Sequence, residues 1–358
     1  MEKYLVKEND LYNFAYSSLK KFGMNDEDAK VTASCLVKTD KWGIFTHGSK
    51  NLYGYILKAQ AGGVSLTNKP EIKLALPSVM VIDANNTLGF VSATLAMQKA
   101  CEMAKKTGVA MVFTKNCCHF GAAGCYVNIA SEQGMVGGTF SNVDKKMVIP
   151  GAKGMVMGHN PFALAAPAKS QPSIFFDAST SNVASLKVLR AKNDGVKIPL
   201  DWIVDKDGKP TDDPSHYPDE GALLPIGNHK GYCIATFIEV ITSLMTGSRT
   251  SMSKEGIPSW CFDLELPNEI SQTFIAIDAE QIAGKKVLEQ RVEQMISDLH
   301  NAPKAEGVDH IYVPGEMEWN NYSKVEKTGY IALPKDVYDE LAKLEKLSGL
   351  KLNVKKDE

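Results

Sequence analysis

The stretch GVAMVFTKNCCHFGAAGCY, residues 108–126, decides how the chain is read. Its first half is short and apolar, the composition of a buried strand. Its second half sets His119 directly past that strand, with Gly121 and Gly124 opening what reads as a helix. A strand end facing a helix start is where α/β folds hold their chemistry. A histidine packed into a core corner fits the same local pattern, so the rest of the chain has to decide.

Outward from this stretch, SVMVIDAN (78–85), GMVGGTFSN (134–142) and PSIFFDAST (172–180) read as further strands closed by Asp, Asn, Ser or Thr. VSATLAMQKACEMAKKTG (91–108) is the clearest helix between them. This alternation predicts an α/β domain in the middle of the chain. Residues 9–23 and 25–43 read as helices, the second capped by Asn25 or Asp26, with Gly23 and Gly43 as stops. Residues 189–222, dense in Gly, Pro and Asp, read as loops with short extended pieces. Residues 228–247 look like a loop entering a buried helix, 255–278 like strands, and 283–302 and 334–349 like amphipathic helices.

A chain of 358 residues, 44% hydrophobic and 23% charged, can bury its own core in two or three domains. A net charge of -2 leaves no basic field for phosphate backbones, so nucleic acid is not an expected partner. The opening MEKYLVKEND carries charges where a secretory leader needs an apolar run, and the longest apolar stretch is broken by Glu239. A soluble, cytoplasmic protein without membrane contact is therefore expected. Seven scattered cysteines fit reduced thiols in a reducing compartment.

The usual phosphate loops are missing: no G-x-G-x-x-G joins a strand to a helix, and no G-x-x-x-x-G-K-[ST] occurs. Other polar constellations stand at strand ends and loop entries. FTHGS sets His47 between Thr46 and Gly48, where backbone freedom lets a ring project into a cleft; a turn histidine satisfied locally is the alternative. IFFDASTSN ends an apolar strand on Asp177, and Ser179, Thr180 and Ser181 then offer hydroxyls and amides to a ligand such as pyrophosphate, or simply cap a helix. GNHKG offers His229 and Lys230 between glycines, suited to phosphate or carboxylate, or to open solvent. Zinc fits poorly, because Cys117, Cys118, His119 and Cys125 contain no C-x-x-C pair, and no metal is expected. Nothing marks one thiol as an activated nucleophile.

Taken in order, THG (46–48), VIDANNTLGF (81–90), NCCHFGAAGCY (116–126), FSNVDKKMVIPGAKGMVMGHNPFALAAP (140–167), FFDASTSNVASLK (175–187), ALLPIGNHKGY (222–232) and VPGE (313–316) resemble the malate/L-lactate dehydrogenase family that is unrelated to Rossmann-type lactate dehydrogenases. The resemblance covers essentially the whole chain. It implies a homodimeric, nicotinamide-dependent oxidoreductase of α/β fold: a non-Rossmann mixed-sheet NAD(P)-binding domain plus a domain built from both chain termini. The expected division is 1–75 with 290–358 for dimerisation and substrate, and 76–289 for the cofactor, with a sub-region near 120–165.

Carried onto this sequence, the resemblance makes His47 and His119 the active-site histidines, with Asp177 at the cofactor-side strand end as a further catalytic candidate. Asp177, Ala178, Ser179, Thr180, Ser181, Lys187, His229, Lys230, Pro314, Gly315 and Glu316 are expected to wrap the cofactor, and Asn142 to approach its nicotinamide. Thr46, Lys50, Asn51, Asp144 and His159 are expected on the substrate side. Two positions depart from the family pattern. Asn51, beside Lys50, stands where an arginine commonly clamps a carboxylate through two hydrogen bonds, and His159 replaces the threonine of GTNP. Both point to a different substrate choice.

These residue types suit the chemistry implied. A nicotinamide supplies the hydride, and the protein must supply or remove a proton at the substrate oxygen. Imidazole, with an ordinary pKa of about 6.5, does this near neutral pH. A carboxylate nearby would fix the imidazole tautomer, a role open to Asp177. The leading expectation is hydride transfer to or from a small 2-hydroxy or 2-oxo acid or a sulfonate analogue. Reduction of a cyclic imine, and cofactor binding without turnover, are the alternatives. NAD is expected, while Arg190 and Lys192 keep NADP open.

Overall fold

The computed structural model describes residues 2–170 and 172–356. The chain begins with β1 (Lys3–Lys7), α1 (Glu8–Lys21), α2 (Asp26–Lys41) and α3 (Leu52–Gln60). Helix α2 starts as its sequence dictates: the Asn25 side chain accepts the Asp28 N–H, Asp26, Glu27 and Asp28 face the positive end of the helix dipole, and Lys38 and Lys41 the negative end. Such a cap contributes about 1 kcal/mol.

The central sheet is built from β2 (Glu71–Ala75), β3 (Val79–Asp83), β4 (Val109–Cys117), β5 (Met135–Ser141), β8 (Phe162–Ala166), β9 (Ile174–Ala178) and β13 (Ile270–Asp278), in the order β2-β3-β4-β13-β5-β8-β9. Only the β3–β4 pair is parallel, joined by the crossover helix α4 (Gly89–Thr107); every other pairing is antiparallel. This is a mixed sheet, unlike the parallel sheet of a dinucleotide fold with a glycine fingerprint. Helices α4 and α5 (Gly124–Glu132) cover the face that carries Ala110, Val112, Phe274 and Ala276. On the other face, the Thr273 hydroxyl donates to the Ile241 carbonyl in the segment following α7 (His229–Glu239). With both faces covered, β4 reads as a nearly continuous apolar run.

A second, smaller sheet, β11-β10-β12-β6-β7, combines β6 (Lys145–Met147) and β7 (Met157–Gly158) with β10 (Ile203–Val204), β11 (Pro210–Thr211) and β12 (Ala222–Leu223); α6 (Ser185–Asp194) packs beside it through Val188. The remaining elements are α8 (Lys285–His300), α9 (Glu316–Thr328), β14 (Tyr330–Pro334), α10 (Lys335–Ser348) and β15 (Val354–Lys356). Strands β14 and β15 flank β1, so the two ends of the chain form one three-stranded sheet. Val6, Leu11, Leu36, Leu52, Ile331 and Leu341 share one core with them.

Three expectations are revised. The boundary drawn at residue 290 falls inside α8, whose Val292 and Ile296 pack with Ala166 and Ile174 of the central sheet. Residues 255–278 contain one strand rather than several, with Pro258 and Pro267 in irregular backbone before β13. Helix α7 is not buried all round, with Ile234 and Phe237 exposed. No helix among the described residues is long and apolar enough to cross a membrane.

Candidate active site

Three histidines from separate segments converge beside α3. His47 sits in the turn between α2 and α3, and its placement depends on Asp40 near the end of α2. The buried Asp40 carboxylate accepts the Ser49 N–H at 3.0 Å. Position 48 has to be glycine here, because a Cβ would fall 1.9 Å from Asp40 Oδ1. Asp40 Oδ1 has no partner, and burial raises the carboxyl pKa to about 7 against the opposing Ser49 hydrogen bonds. The Thr46 hydroxyl lies 2.9 Å from His47 Nδ1 and fixes that ring.

His119 follows β4. Asn116, at φ 54°, turns the chain out of the strand, and its amide donates to both Asp83 oxygens at 3.0 Å. The CCH turn then lies against the start of α4, where a Cβ on Gly89 would meet the Cys118 and His119 carbonyls at 2.3 and 2.6 Å. Tyr55 Oη is 2.6 Å from His119 Nδ1, and the Gly121 N–H points to the same nitrogen at 3.4 Å. Because the Gly121 N–H can only donate, it favours the tautomer with Nδ1 as acceptor and the proton on Nε2. Trp260 stacks on the ring at 4.7 Å, and His47 lies 5.7 Å away between centroids.

Helix α3 organises both supports. Tyr55 and Lys58 stand three residues apart on one face. Tyr55 holds the edge of the imidazole, while the fully buried Lys58 ammonium donates to the Asp263 and Leu266 carbonyls at 2.8 and 2.6 Å. Lys58 thereby ties down the loop that carries Trp260.

The third histidine, His159, leaves Nδ1 buried without a partner. Near it, Lys146 pairs with Asp144 at 2.9 Å; both side chains are mostly buried. Burial works against the Lys146 charge, and Asp144 outweighs it, so this cation stays above the ordinary lysine range. Burial lowers His47 to about 4. It also lowers His119 well below the ordinary imidazole range, aided by His47 and His159. His159 falls to about 3 through burial, Lys146 and His47. All three rings are neutral in the free protein, in a pocket whose fixed charge includes an ammonium.

The cofactor candidates gather around the end of β9. Asp177 Oδ2 accepts the Gly124 N–H at the start of α5 at 2.7 Å, and burial raises its pKa to about 6. Ala178 ends the strand, and Ser179 Oγ lies 2.9 Å from Ser181 Oγ. The Ile226 N–H donates to the Thr180 carbonyl and Ser181 bridges Pro225, which brings the loop before His229 and Lys230 alongside the serines. Thr180 Oγ1 is buried without a partner, while Lys187, His229 and Lys230 are exposed on the first turns of α6 and α7. This donor set fits a pyrophosphate. The Pro314 carbonyl accepts the Phe175 N–H, so the Pro314–Gly315 segment backs the same strand.

Several expected contacts are committed elsewhere. Asp177 touches neither imidazole; Tyr55 takes the tautomer-fixing position on His119. Asn51 spends its amide on the Thr46 carbonyl at 2.9 Å, bracing the turn, and Lys50 pairs with Asp336 of α10 at 2.7 Å. Asn142 is fully buried: its oxygen accepts the Ser271 N–H, and its amide donates to Glu239 and the Arg249 carbonyl. The Glu316 carboxylate is turned to His300 and His310. Lys192 donates to the Tyr217 carbonyl at 2.8 Å, and Arg190 lies 3.6 Å from Asp194. Cys117, Cys118 and Cys125 are buried packing groups. Cys117 reaches Thr114, Cys118 reaches Asn268, and burial raises both thiols to about 12; Cys125 contacts Thr39.

Fold and site together define a class: a mixed-sheet α/β protein with a cluster of three histidines and a hydroxyl-rich, cation-flanked strand end. Comparison with known proteins gives the same answer. Residues 6–342 match the family model for malate/L-lactate dehydrogenase, and the chain belongs to that family. It is similar to the L-sulfolactate dehydrogenase of Methanocaldococcus jannaschii, at 36% identity over 91% of this chain and 92% of the relative. The solved structure of the sulfolactate dehydrogenase from that organism superposes with a TM-score of 0.88 at 33% identity, covering 97% of this chain and 98% of the other. A malate dehydrogenase of Pyrococcus abyssi is 30% identical over 97% and 95% of the two chains. A ureidoglycolate dehydrogenase (NAD(+)) of Escherichia coli is 29% identical over 94% of each.

Proposed function

We propose that this protein transfers a hydride between NAD(P) and the C2 carbon of a small 2-hydroxy or 2-oxo acid or its sulfonate analogue, with His119 handling the proton. The observation that carries this reading is the Tyr55–His119 pair at 2.6 Å beside His47 and Trp260. The cofactor would be held by Thr180, Ser179, Ser181, Lys187, His229 and Lys230, and supplies the hydride when bound. Asp177 and Gly124 shape the strand end beneath it.

The residues of the chain do the rest. In reduction, oxygen gains negative charge as the hydride arrives, and a protonated His119 gives up its Nε2 proton to it. In oxidation, the ring takes the hydroxyl proton back at Nε2 in its Nδ1–H tautomer, the form left when the cation gives up its Nε2 proton. A tyrosine hydroxyl both donates and accepts. Tyr55 therefore donates to Nδ1 in the resting neutral ring and accepts from Nδ1–H in the cation and in the tautomer that takes up the proton. His47, held by Thr46, orients the substrate oxygen from the other side. With Asn51 bound to the Thr46 carbonyl, the acid group falls to Lys146 and His159, which offer a buried cation and an unpartnered ring nitrogen. An anion bound there raises the pKa of the neighbouring imidazoles and brings His119 its proton together with the substrate.

The exposed Ile234, Phe237, Leu244 and Met245 along α7 and the segment after it support a homodimer. Seven free thiols support a cytoplasmic location. We read residues 6–66 with 325–352 as the terminal domain, on the strength of their common core. The experiment is nicotinamide absorbance with each reduced cofactor against a panel of 2-oxo acids, sulfonates and cyclic imines. Turnover confined to 2-oxo acids and sulfonates supports the proposal. Turnover confined to cyclic imines replaces it with ketimine reduction, and cofactor binding without any turnover contradicts it.

A further inference from the structure

Away from these three histidines, two others converge on one carboxylate. His300 is the last residue of α8, His310 lies in the connection to α9, and Glu316 is the first residue of α9. His300 Nε2 is 3.0 Å from Glu316 Oε2, and His310 Nε2 is 2.7 Å from Glu316 Oε1. The Val313 N–H donates to Glu316 Oε2 at 2.9 Å and fixes the carboxylate. The three ligand atoms all lie within 4.8 Å of one another.

The geometry points to a binding site for a borderline-soft divalent cation, zinc above all, held by His300 Nε2, His310 Nε2 and the Glu316 carboxylate, with a water as fourth ligand. Two imidazoles and one carboxylate with an open fourth position suit tetrahedral zinc, whose bonds to nitrogen and oxygen are about 2.0–2.2 Å. Ligand atoms on such an ion stand roughly 3.3 Å apart, given those bond lengths. The two imidazole–carboxylate separations need to open by about 0.3 and 0.6 Å, and the imidazole nitrogens, within 4.8 Å of each other, to settle at the same spacing. The side chains are 32%, 43% and 19% exposed, so they have room to adjust and an ion has a path in. Magnesium and calcium are disfavoured, since they demand six or more oxygen ligands.

The site has a definite place in the fold. It ties the end of α8, the following loop and the start of α9 together behind β9. Val313, three residues before Glu316, packs with Val292 and Ile296 of α8. Gly315, at φ 84°, passes so close to β9 that a Cβ would meet Phe175 at 2.6 Å. A cation at Glu316 therefore clamps the segment behind the strand that ends in Asp177. Its role is structural, and it stands apart from the proposed hydride chemistry.

Isothermal titration of the chelator-treated, dialysed full-length protein with zinc tests the site, with His310→Ala and His300→Ala titrated alongside. The expected result is one tight equivalent per chain, weakened at least about tenfold in either variant, which is about 1.4 kcal/mol, and no heat with magnesium. The cobalt-substituted protein should show four-coordinate visible bands without a thiolate charge-transfer band, which separates this site from the exposed Cys233 and Cys261. Zinc affinity unchanged in both variants, thiolate bands with cobalt, or no zinc binding by the wild type would each overturn the assignment. His310→Ala lies in an exposed loop, so the test does not hinge on a variant that fails to fold.

Discussion

Replacing Tyr55 by phenylalanine removes one oxygen and little else. The ring keeps its packing against Trp260 at 4.9 Å and its edge contact with Phe90 at 5.5 Å. What disappears is the 2.6 Å contact to His119 Nδ1, leaving that buried nitrogen with only the Gly121 N–H at 3.4 Å. A buried hydrogen bond of this kind contributes about 1–1.5 kcal/mol. If that energy holds the imidazole in the orientation that serves the proton transfer, its loss lowers kcat about tenfold, at 1.36 kcal/mol per decade. Cofactor affinity should hold, because the contacts of Tyr55 are to His119, Phe90 and Trp260 rather than to the serine-rich strand end. The assay is steady-state kcat and cofactor Kd for both proteins, with the ring nitrogen shifts of labelled His119 as a second readout. Wild-type kcat together with unchanged nitrogen shifts would refute the argument.

Other consequences concern pH and charge. Burial keeps His119 neutral in the free protein, so reduction must recruit a proton. Its kcat/KM should fall about tenfold for each pH unit above neutrality, while oxidation, which uses the neutral ring, stays flat there; a pH-independent reduction rate would count against His119 as the acid. Lys146→Met should raise KM for a 2-oxo acid by about tenfold or more, as expected for losing a partly buried charge-assisted contact, and leave cofactor Kd unchanged; an unaltered KM would remove Lys146 from the site. Asp40 has a folded pKa raised from 3.8 to about 7, so its contribution to stability is complete below pH 3.8 and is lost as the pH rises through 7. Across that window Asp40→Asn should gain up to roughly 4 kcal/mol relative to wild type, at 1.36 kcal/mol per pH unit; a stability difference constant with pH in denaturant titrations would contradict it.

Strands β3, β4, β5 and β9 were legible because they are short, apolar and closed by polar turns, and α2 because Asn25 and its acidic first turn announce a start; β2 and β8 of the same sheet were not read. The terminal sheet was not legible. β1 meets β14 across more than three hundred residues, and no local pattern carries that pairing. His47 and His119 stood out through the family resemblance; by local pattern alone each also fitted a turn or core histidine. Tyr55, Lys58, Trp260 and Lys146 did not, since they read as ordinary helix, loop and surface residues until the fold brings them together. For Asn51, Lys50, Asn142 and Glu316, residue type and position were legible, but side-chain direction decided what each one touches. Asn51 shows why this matters: with its amide on the Thr46 carbonyl, it acts as a brace where an arginine would be a clamp.

The most direct test of the central claim is a side-by-side measurement of turnover and cofactor Kd for wild type, His119→Ala and His47→Ala, using whichever substrate the panel identifies. The account predicts that His119→Ala loses at least two decades of kcat, within the usual contribution of a general acid, that His47→Ala loses less, and that cofactor Kd changes little in either. Undiminished kcat in His119→Ala would contradict it.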